Sequence, residues 1–296
     1  LDGFSRVKNL ISRAKELNMS SVAITDHGCM FGVIDFYKEA KKQGIKPIIG
    51  CEVYTAPRSL RDKDPNYDKR QGHLILLAKN MDGYKNLIKM VSTSYVEGFY
   101  YKPRVDIDEL KKYSDGIIAL SACLAGDISQ ALMDRNYEKA KNIALQYRDI
   151  FGEGNFYLEI QDHGLPEQKE VNAALVKLSK EINIPLVATN DIHYVNKEDS
   201  KIHDVLMCIQ MGKTVNDPNR MRFGSDEFYL KSREEMEELF PYAPEAIDNT
   251  VKIAEMCNIE FDFNTIHLPK YDVPEGYTPD TYLRELCFKG LEERYD

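Results

Sequence analysis

The sequence predicts an α/β protein in which short, very apolar strands alternate with amphipathic helices. Two patterns carry this. Apolar residues recur at helical spacing in some segments and in short unbroken runs in others, and the two kinds of segment alternate along the chain. The runs are apolar on both faces, as in strands of a parallel sheet covered by helices. An open doubly wound sheet and a closed barrel both fit. No Gly-x-Gly-x-x-Gly follows a strand and no Gly-x-x-x-x-Gly-Lys-Ser/Thr occurs, so dinucleotide-binding and phosphate-loop folds lose their main support.

Within residues 4–18, Val7, Leu10, Ile11, Ala14 and Leu17 share one face, which predicts an amphipathic helix. Val22–Thr25 is the first strand and ends at Asp26-His27-Gly28. Residues 31–42 are helical and stop at Gly44. Pro47–Tyr54 is the second strand. Residues 55–72 are polar and rich in Pro, Asp and Arg, hence a loop. His73–Ala78 is the third strand, followed by a helix near 81–94. Ile117–Ser121 is the fourth, with helices near 127–134 and 136–150. Phe156–Ile160 is the fifth, with a helix near 166–182. Pro185–Thr189 is the sixth, with a helix near 198–211. Residues 212–262 read as a helical appendage in which Glu234, Glu235, Glu237 and Glu238 form a solvated face. Residues 264–281, with Pro269, Pro274, Gly276 and Pro279, read as a linker, and 282–296 begin another element.

Composition narrows the function. The 296 residues are 43% hydrophobic and 29% charged, enough for one barrel-sized domain or two smaller ones and incompatible with wholesale disorder. No apolar run approaches the roughly 18 residues of a membrane span, and no basic-then-apolar leader opens the chain. The net charge of −9 argues against a free-standing nucleic-acid binder but not against a nuclease whose carboxylates hold metal. Cys29, Cys51, Cys123, Cys208, Cys257 and Cys287 include no Cys-x-x-Cys pair, so a reduced, cytoplasmic protein is expected. The chain opens at Leu1 without Met and closes in a helical pattern, which reads as a piece of something longer.

Metal-capable side chains collect at strand ends. His27 follows the first strand, Glu52 lies near the end of the second, Cys123 follows the fourth, and Asp191 and His193 follow the sixth. In an α/β barrel the strand C-termini open on one face and build the active site. His73 precedes its strand, and the 55–72 loop is expected to carry it to the same face. His163 follows another strand end and is expected to line the same pocket, whereas His203 lies inside a helix and His267 in the Pro-rich stretch. Singly, each residue has a plainer role. Histidines are commonly hydrogen-bonded structural groups, a lone Cys is a small hydrophobe, and Asp26 and Asp191 suit turn caps. Jointly, mixed N, O and S donors suit zinc, manganese or iron rather than calcium. Clustered ions of this kind favour phosphoester hydrolysis. Lys102, Arg104 and Lys213 are candidates for phosphate contacts, with ordinary surface charge as the alternative.

Five motifs carry a resemblance. They are Ile24-Thr25-Asp26-His27-Gly28, Gly50-Cys51-Glu52-Val53-Tyr54, Gly72-His73-Leu74, Ser121-Ala122-Cys123-Leu124-Ala125-Gly126 and Ala188-Thr189-Asn190-Asp191-Ile192-His193-Tyr194. In order and spacing they resemble the polymerase-and-histidinol-phosphatase (PHP) domain, and more closely the N-terminal part of the bacterial DNA polymerase III alpha subunits. The resemblance implies a distorted (β/α)7 barrel whose first strand, with its His-x-His, is absent from this chain. It implies metal ligands at Asp2, His27, Glu52, His73, Cys123, Asp191 and His193, with Asp26, Glu159, His163 and Asn190 as further pocket residues. It implies up to three divalent ions and a 3′–5′ exonuclease or related phosphoesterase that proofreads DNA. The domain would span 1–263, with the barrel at about 1–211, and 282–296 would begin a polymerase palm. DNA and replisome subunits such as a sliding clamp or a proofreading exonuclease would be partners, with no membrane. Two rival readings are a structural module that docks a separate exonuclease and a stand-alone histidinol-phosphate phosphatase.

Overall fold

The computed structural model describes residues 3–266 and 268–295. The chain divides into two compact units, one ending at Ile259 and the other beginning at Glu260. The first unit opens with helix α1 (Val7–Glu16), which buries Ile11 and Ala14. Strand β1 (Ser21–Ile24), helix α2 (Val33–Gln43) and strand β2 (Lys46–Thr55) follow. Gly44 ends α2 in the left-handed conformation, at φ 78°. Strand β3 (Gly72–Ala78) leads into helix α3 (Met81–Val96), whose first turn is capped by the Asn80 side chain accepting from Gly83 N at 2.9 Å. The short strand β4 (Arg104–Val105) and helix α4 (Ile107–Lys112) precede strand β5 (Ile117–Leu120). Then come helices α5 (Asp127–Met133) and α6 (Tyr137–Phe151), strand β6 (Phe156–Ile160), helix α7 (Pro166–Ile182) and strand β7 (Leu186–Ala188). Helices α8 (Ser200–Met211), α9 (Arg233–Leu239) and α10 (Pro244–Met256) complete the unit. The second unit contains helix α11 (Pro279–Arg294), on which Leu283, Leu286, Phe288 and Leu291 are exposed.

The sheet runs β1-β2-β3-β5-β6-β7, with β4 paired to β2 off this path. It curls into a partial barrel whose path ends at β1 and β7. The sequence pattern of doubly apolar strands suggests a wholly parallel sheet, and the sheet is instead mixed. β3 runs antiparallel to both neighbours, while β1–β2, β5–β6 and β6–β7 pair in parallel. The physical reason lies in the connection. A parallel crossover needs a dozen or more residues, usually helical, to return the chain to the same end. Residues 56–71 form no helix and turn the chain back where β2 stops.

Helix α10 packs on β7 and buries Ile253 and Ala254, with Cys257 just beyond, against Ile48, Leu77, Ile118 and Val187. Each of the Ile, Leu and Val side chains contributes about 1.5–3 kcal/mol when fully buried. Lys46 Nζ donates to Ala254 O at 2.6 Å, so this helix covers the start of β2. The opposite edge, where β2 ends and β3 begins, is left for chemistry.

Arg104 corrects one expectation. It is wholly buried, and its guanidinium donates to the carbonyl oxygens of Gly98, Leu60 and Asp62 at 2.9–3.0 Å. It ties the 58–68 loop to β4 and is closed to any phosphate. Lys213 is committed to an ion pair with Asp217 at 3.1 Å.

Candidate metal centre

The β1–β2 ladder continues one step past β1. Gly28 N donates to Glu52 O at 2.8 Å and Glu52 N to Asp26 O at 3.0 Å, which sets His27 opposite Glu52. Gly28 permits this close passage. Its φ is 61°, and a Cβ there would lie 2.9 Å from both Pro103 Cγ and the Tyr54 ring. The β2–β3 register pairs Tyr54 with His73. Because β3 is antiparallel, its first residues lie beside the last residues of β2. His73 therefore reaches the site through strand direction, and no long-loop detour is required.

The buried Glu52 carboxylate sits between two imidazoles. His73 Nδ1 is 2.6 Å from Oε1 and His27 Nδ1 is 3.4 Å from Oε2. These three residues form a cluster able to hold a metal ion, with their donor atoms all within 4.8 Å of one another. Cys123 Sγ lies 3.6 Å from His73 Nδ1 and 3.9 Å from Glu52 Oε1. The His27 and His193 ring centroids are 6.3 Å apart. His193 Nδ1 is 2.9 Å from Asp191 O and 3.8 Å from its carboxylate. His27, Glu52, Cys123, Glu159, Asp191 and His193 all line one cleft of about 640 Å³. The structure thus brings together every expected ligand except Asp2, which lies outside the described residues.

Charge differs from one side of the cleft to the other. Burial pushes the Glu52 carboxyl up, but the His73 hydrogen bond and the His27, His73 and His193 charges outweigh it and hold it below its ordinary value. Asp191 is raised, by burial first and by Glu52 further, against the pull of the histidines. Burial, with the Glu52 and Asp191 charges, also pushes the Cys123 thiol up.

Of the remaining expected residues, Asp26, Glu159 and Asn190 also line the cleft, and His163 is buried next to Asn190. Glu159 is buried, and its Oε2 accepts from Ala122 N at 2.9 Å. Its Oε1 accepts from Gln161 Nε2 at 2.9 Å and from the Thr189 hydroxyl. Burial is the main cause of its carboxyl rising to about 7. His163 has both ring nitrogens engaged. Gln168 Nε2 lies 2.8 Å from Nδ1 and Asn190 O lies 2.7 Å from Nε2, so Gln168 donates and the Nε2–H holds the Asn190 carbonyl. Asn190 Nδ2 in turn donates to Tyr229 O. Asp26 is exposed and contributes its backbone carbonyl to the ladder.

Four participants escape a reading of the sequence. Tyr54 stacks beside His27 and meets His73 edge to face, with ring centroids 6.1 and 5.2 Å away. It stands two residues past Glu52 on the same strand face, so alternation is the signal that finds it. Gln161 stands two residues past Glu159 in the same way. Its Oε1 is buried without a hydrogen-bond partner among the described residues and borders the cleft. Phe228 stacks on His163 at 3.8 Å, and Phe223 packs 4.8 Å from His193. No local pattern links these two rings to the site.

A barrel-like sheet with imidazole, carboxylate and thiol groups collected at its strand ends defines an α/β domain with a cluster able to hold a metal ion. The chain belongs to the PHP domain family, whose model matches residues 1–163. Among curated proteins it is similar to DNA polymerase III subunit alpha from Borreliella burgdorferi, 50% identical over 100% of this chain and 26% of that one. The same subunit from Treponema pallidum is 46% identical over 100% of this chain and 25% of its own length. That from Thermus aquaticus is 44% identical over 100% and 25%. The chain thus spans about a quarter of the length of the curated relatives it matches. The resemblance read from the five motifs is borne out. Among the described residues, no helix is long and apolar enough to cross a membrane.

Proposed function

We propose that the first unit is a metal-dependent phosphoesterase that removes nucleotides from DNA 3′ ends, serving proofreading within a longer polymerase polypeptide. One observation carries the reading, namely donor atoms of His27, Glu52 and His73 within 4.8 Å of one another on a rim shared with Cys123, Asp191 and His193. The donor set fits zinc, manganese or iron. The unpartnered, buried Gln161 Oε1 adds an acceptor at the same cleft. His27, Glu52 and His73 would hold one ion, and Cys123, Asp191 and His193 would contribute to a set of up to three. Divalent ions bound there would bring the pKa of water toward neutrality and polarise the phosphoryl group.

The protein's own groups orient that chemistry. Glu52 fixes the direction of two imidazoles at once. His163, through the Asn190 carbonyl, holds the loop that presents Asp191. Glu159 and Thr189 tie the loop after β7 to β6. In the longer polypeptide, residues 264–281 would act as a linker and 282–296 would begin the palm domain. A sliding clamp or a separate exonuclease would be a partner, and the cytoplasm the location.

The test is digestion of a labelled primer by this chain with manganese or zinc, beside a chelated control. Metal-dependent shortening from the 3′ end is the expected result. A chain that binds metal yet leaves both 3′ ends and simple phosphoesters intact would overturn hydrolysis and leave the domain a structural module.

A further inference from the structure

We propose that the turn Tyr100–Lys102 seats the terminal nucleotide of a single-stranded nucleic acid, with the Tyr101 ring stacked on the base and Lys102 on a phosphate. The inference rests on the phosphoesterase reading above and names how its substrate is gripped. Tyr100 N donates to Lys102 O at 3.0 Å, which makes a tight turn with Tyr101 at its tip. Tyr101 has φ 59°, a conformation that a bulky residue holds only when its surroundings impose it. The residue is 61% exposed.

The surroundings are built for this. The buried Arg104 guanidinium holds the Gly98, Leu60 and Asp62 carbonyls and lies 5.2 Å from the Tyr100 ring centre. The Tyr100 ring meets that of Tyr101 edge to face at 4.6 Å. On the other side, Lys102 Nζ stands 5.2 Å from the centre of the Tyr54 ring, which itself lies 5.2 Å from His73. Pro103 presses on Gly28, the residue after His27. An exposed cation is thus fixed next to the Tyr54 ring that borders His73, with the exposed aromatic one residue before it in the turn.

A small phosphate monoester gives the exposed ring nothing to hold. A strand end offers both a π face and a row of phosphates, and single-strand binding sites join aromatic platforms to basic groups. In a chain of net charge −9, a cation at this place is a local provision for an anion. Tyr101 and Lys102 are positioning residues.

The probe is a short single-stranded DNA with 2-aminopurine at its 3′ terminus, bound by the whole chain in chelator so that nothing is cleaved. The fluorescence should be quenched on binding. Tyr101→Asn, which suits a positive φ and so spares the backbone, should abolish the quench and weaken binding roughly tenfold. Tyr101→Phe should keep both. Lys102→Gln should lower the slope of log affinity against log salt by about 0.7. A quench that survives Tyr101→Asn, or a slope unmoved by Lys102→Gln, overturns the proposal. Cleavage of DNA without any quench defeats the seat alone. Quenching as described with no cleavage under manganese or zinc defeats the hydrolytic reading alone.

Discussion

His27, Glu52 and His73 stand on or directly beyond the hydrogen-bonded ladder of β1, β2 and β3, whereas Asp191 and His193 stand on a loop past β7. The ladder half is located by backbone pairing, Gly28 N to Glu52 O and Tyr54 beside His73, and by the absence of a side chain at Gly28. The loop half is located by particular side chains. His163 holds Asn190 O, Asn190 holds Tyr229 O, and Phe228 O accepts from His193 N. One half of the site is inherited from the sheet and the other is assembled from polar and aromatic contacts. The two should fail differently.

The largest contrast is at the carboxylates. Asp191→Asn should cut metal-dependent digestion by at least about 100-fold, the scale on which damage to a metal site is felt. Asn also accepts the left-handed φ of 45° at this position. Because the folded chain disfavours the Asp191 charge, the metal-free variant should melt higher than the parent. Glu52→Gln should lower the melting temperature, because there the fold favours the charge. Near-normal digestion by Asp191→Asn, or melting shifts of the same sign, would collapse the distinction.

Next is His163→Ala. It removes a buried ring stacked on Phe228 and strands the Gln168 and Asn190 groups that ring engages. A loss of about 2–4 kcal/mol in urea unfolding is expected. A loss below about 0.5 kcal/mol would show that the loop half stands without it.

Acid and base then test the two halves together in metal-free protein. Glu159 is pushed up to about 7, chiefly by burial, so between pH about 4.5 and 7 the folded chain keeps a proton the unfolded chain has released. Stability from this group falls as pH rises through that window. His163 is pushed down to about 4, again chiefly by burial. Between pH about 6.5 and 4 the unfolded chain takes a proton the folded chain refuses, so stability from this group falls as pH drops. Each shift is worth about 3 kcal/mol, and over their shared range the two slopes oppose. Relative to the parent, Glu159→Gln should unmask a rise of stability with pH, and His163→Gln a fall. Unfolding curves at stepped pH that change slope in neither variant would contradict both assignments.

The smallest effect is expected away from the cleft. Lys213→Ala removes only an exposed pair with Asp217, so stability should move by less than about 0.5 kcal/mol and digestion should be unchanged. A clear drop in digestion would put Lys213 on the path of the substrate.

Much of the ladder half is legible in the sequence, because short apolar runs end at His27 and Glu52 and a strand end is where a barrel places its chemistry. The reason for His73 was not. Its place depends on β3 running backward, and the only local sign is the missing helix between 55 and 72. Arg104 looks like a surface cation, since nothing within a few residues announces that the carbonyls of Leu60, Asp62 and Gly98 will close over it. The loop half is legible as residues but not as a structure. Phe228 and Tyr229 come from a stretch that reads as an appendage, yet they hold the Asp191 loop in place.

The sequence by itself determined the alternation of strand and helix, the family through five ordered motifs, and the kinds of metal-capable side chain at the strand ends. These are local properties, written in the period of the apolar residues and in side-chain chemistry. Only the tertiary structure decided that β3 is reversed, that Arg104 is buried, that both His163 ring nitrogens are taken up by Gln168 and Asn190, and that Tyr101 stands exposed at the tip of its turn. Those outcomes come from hydrogen bonds and packing between residues tens to hundreds of positions apart, whose energies no short stretch of chain contains.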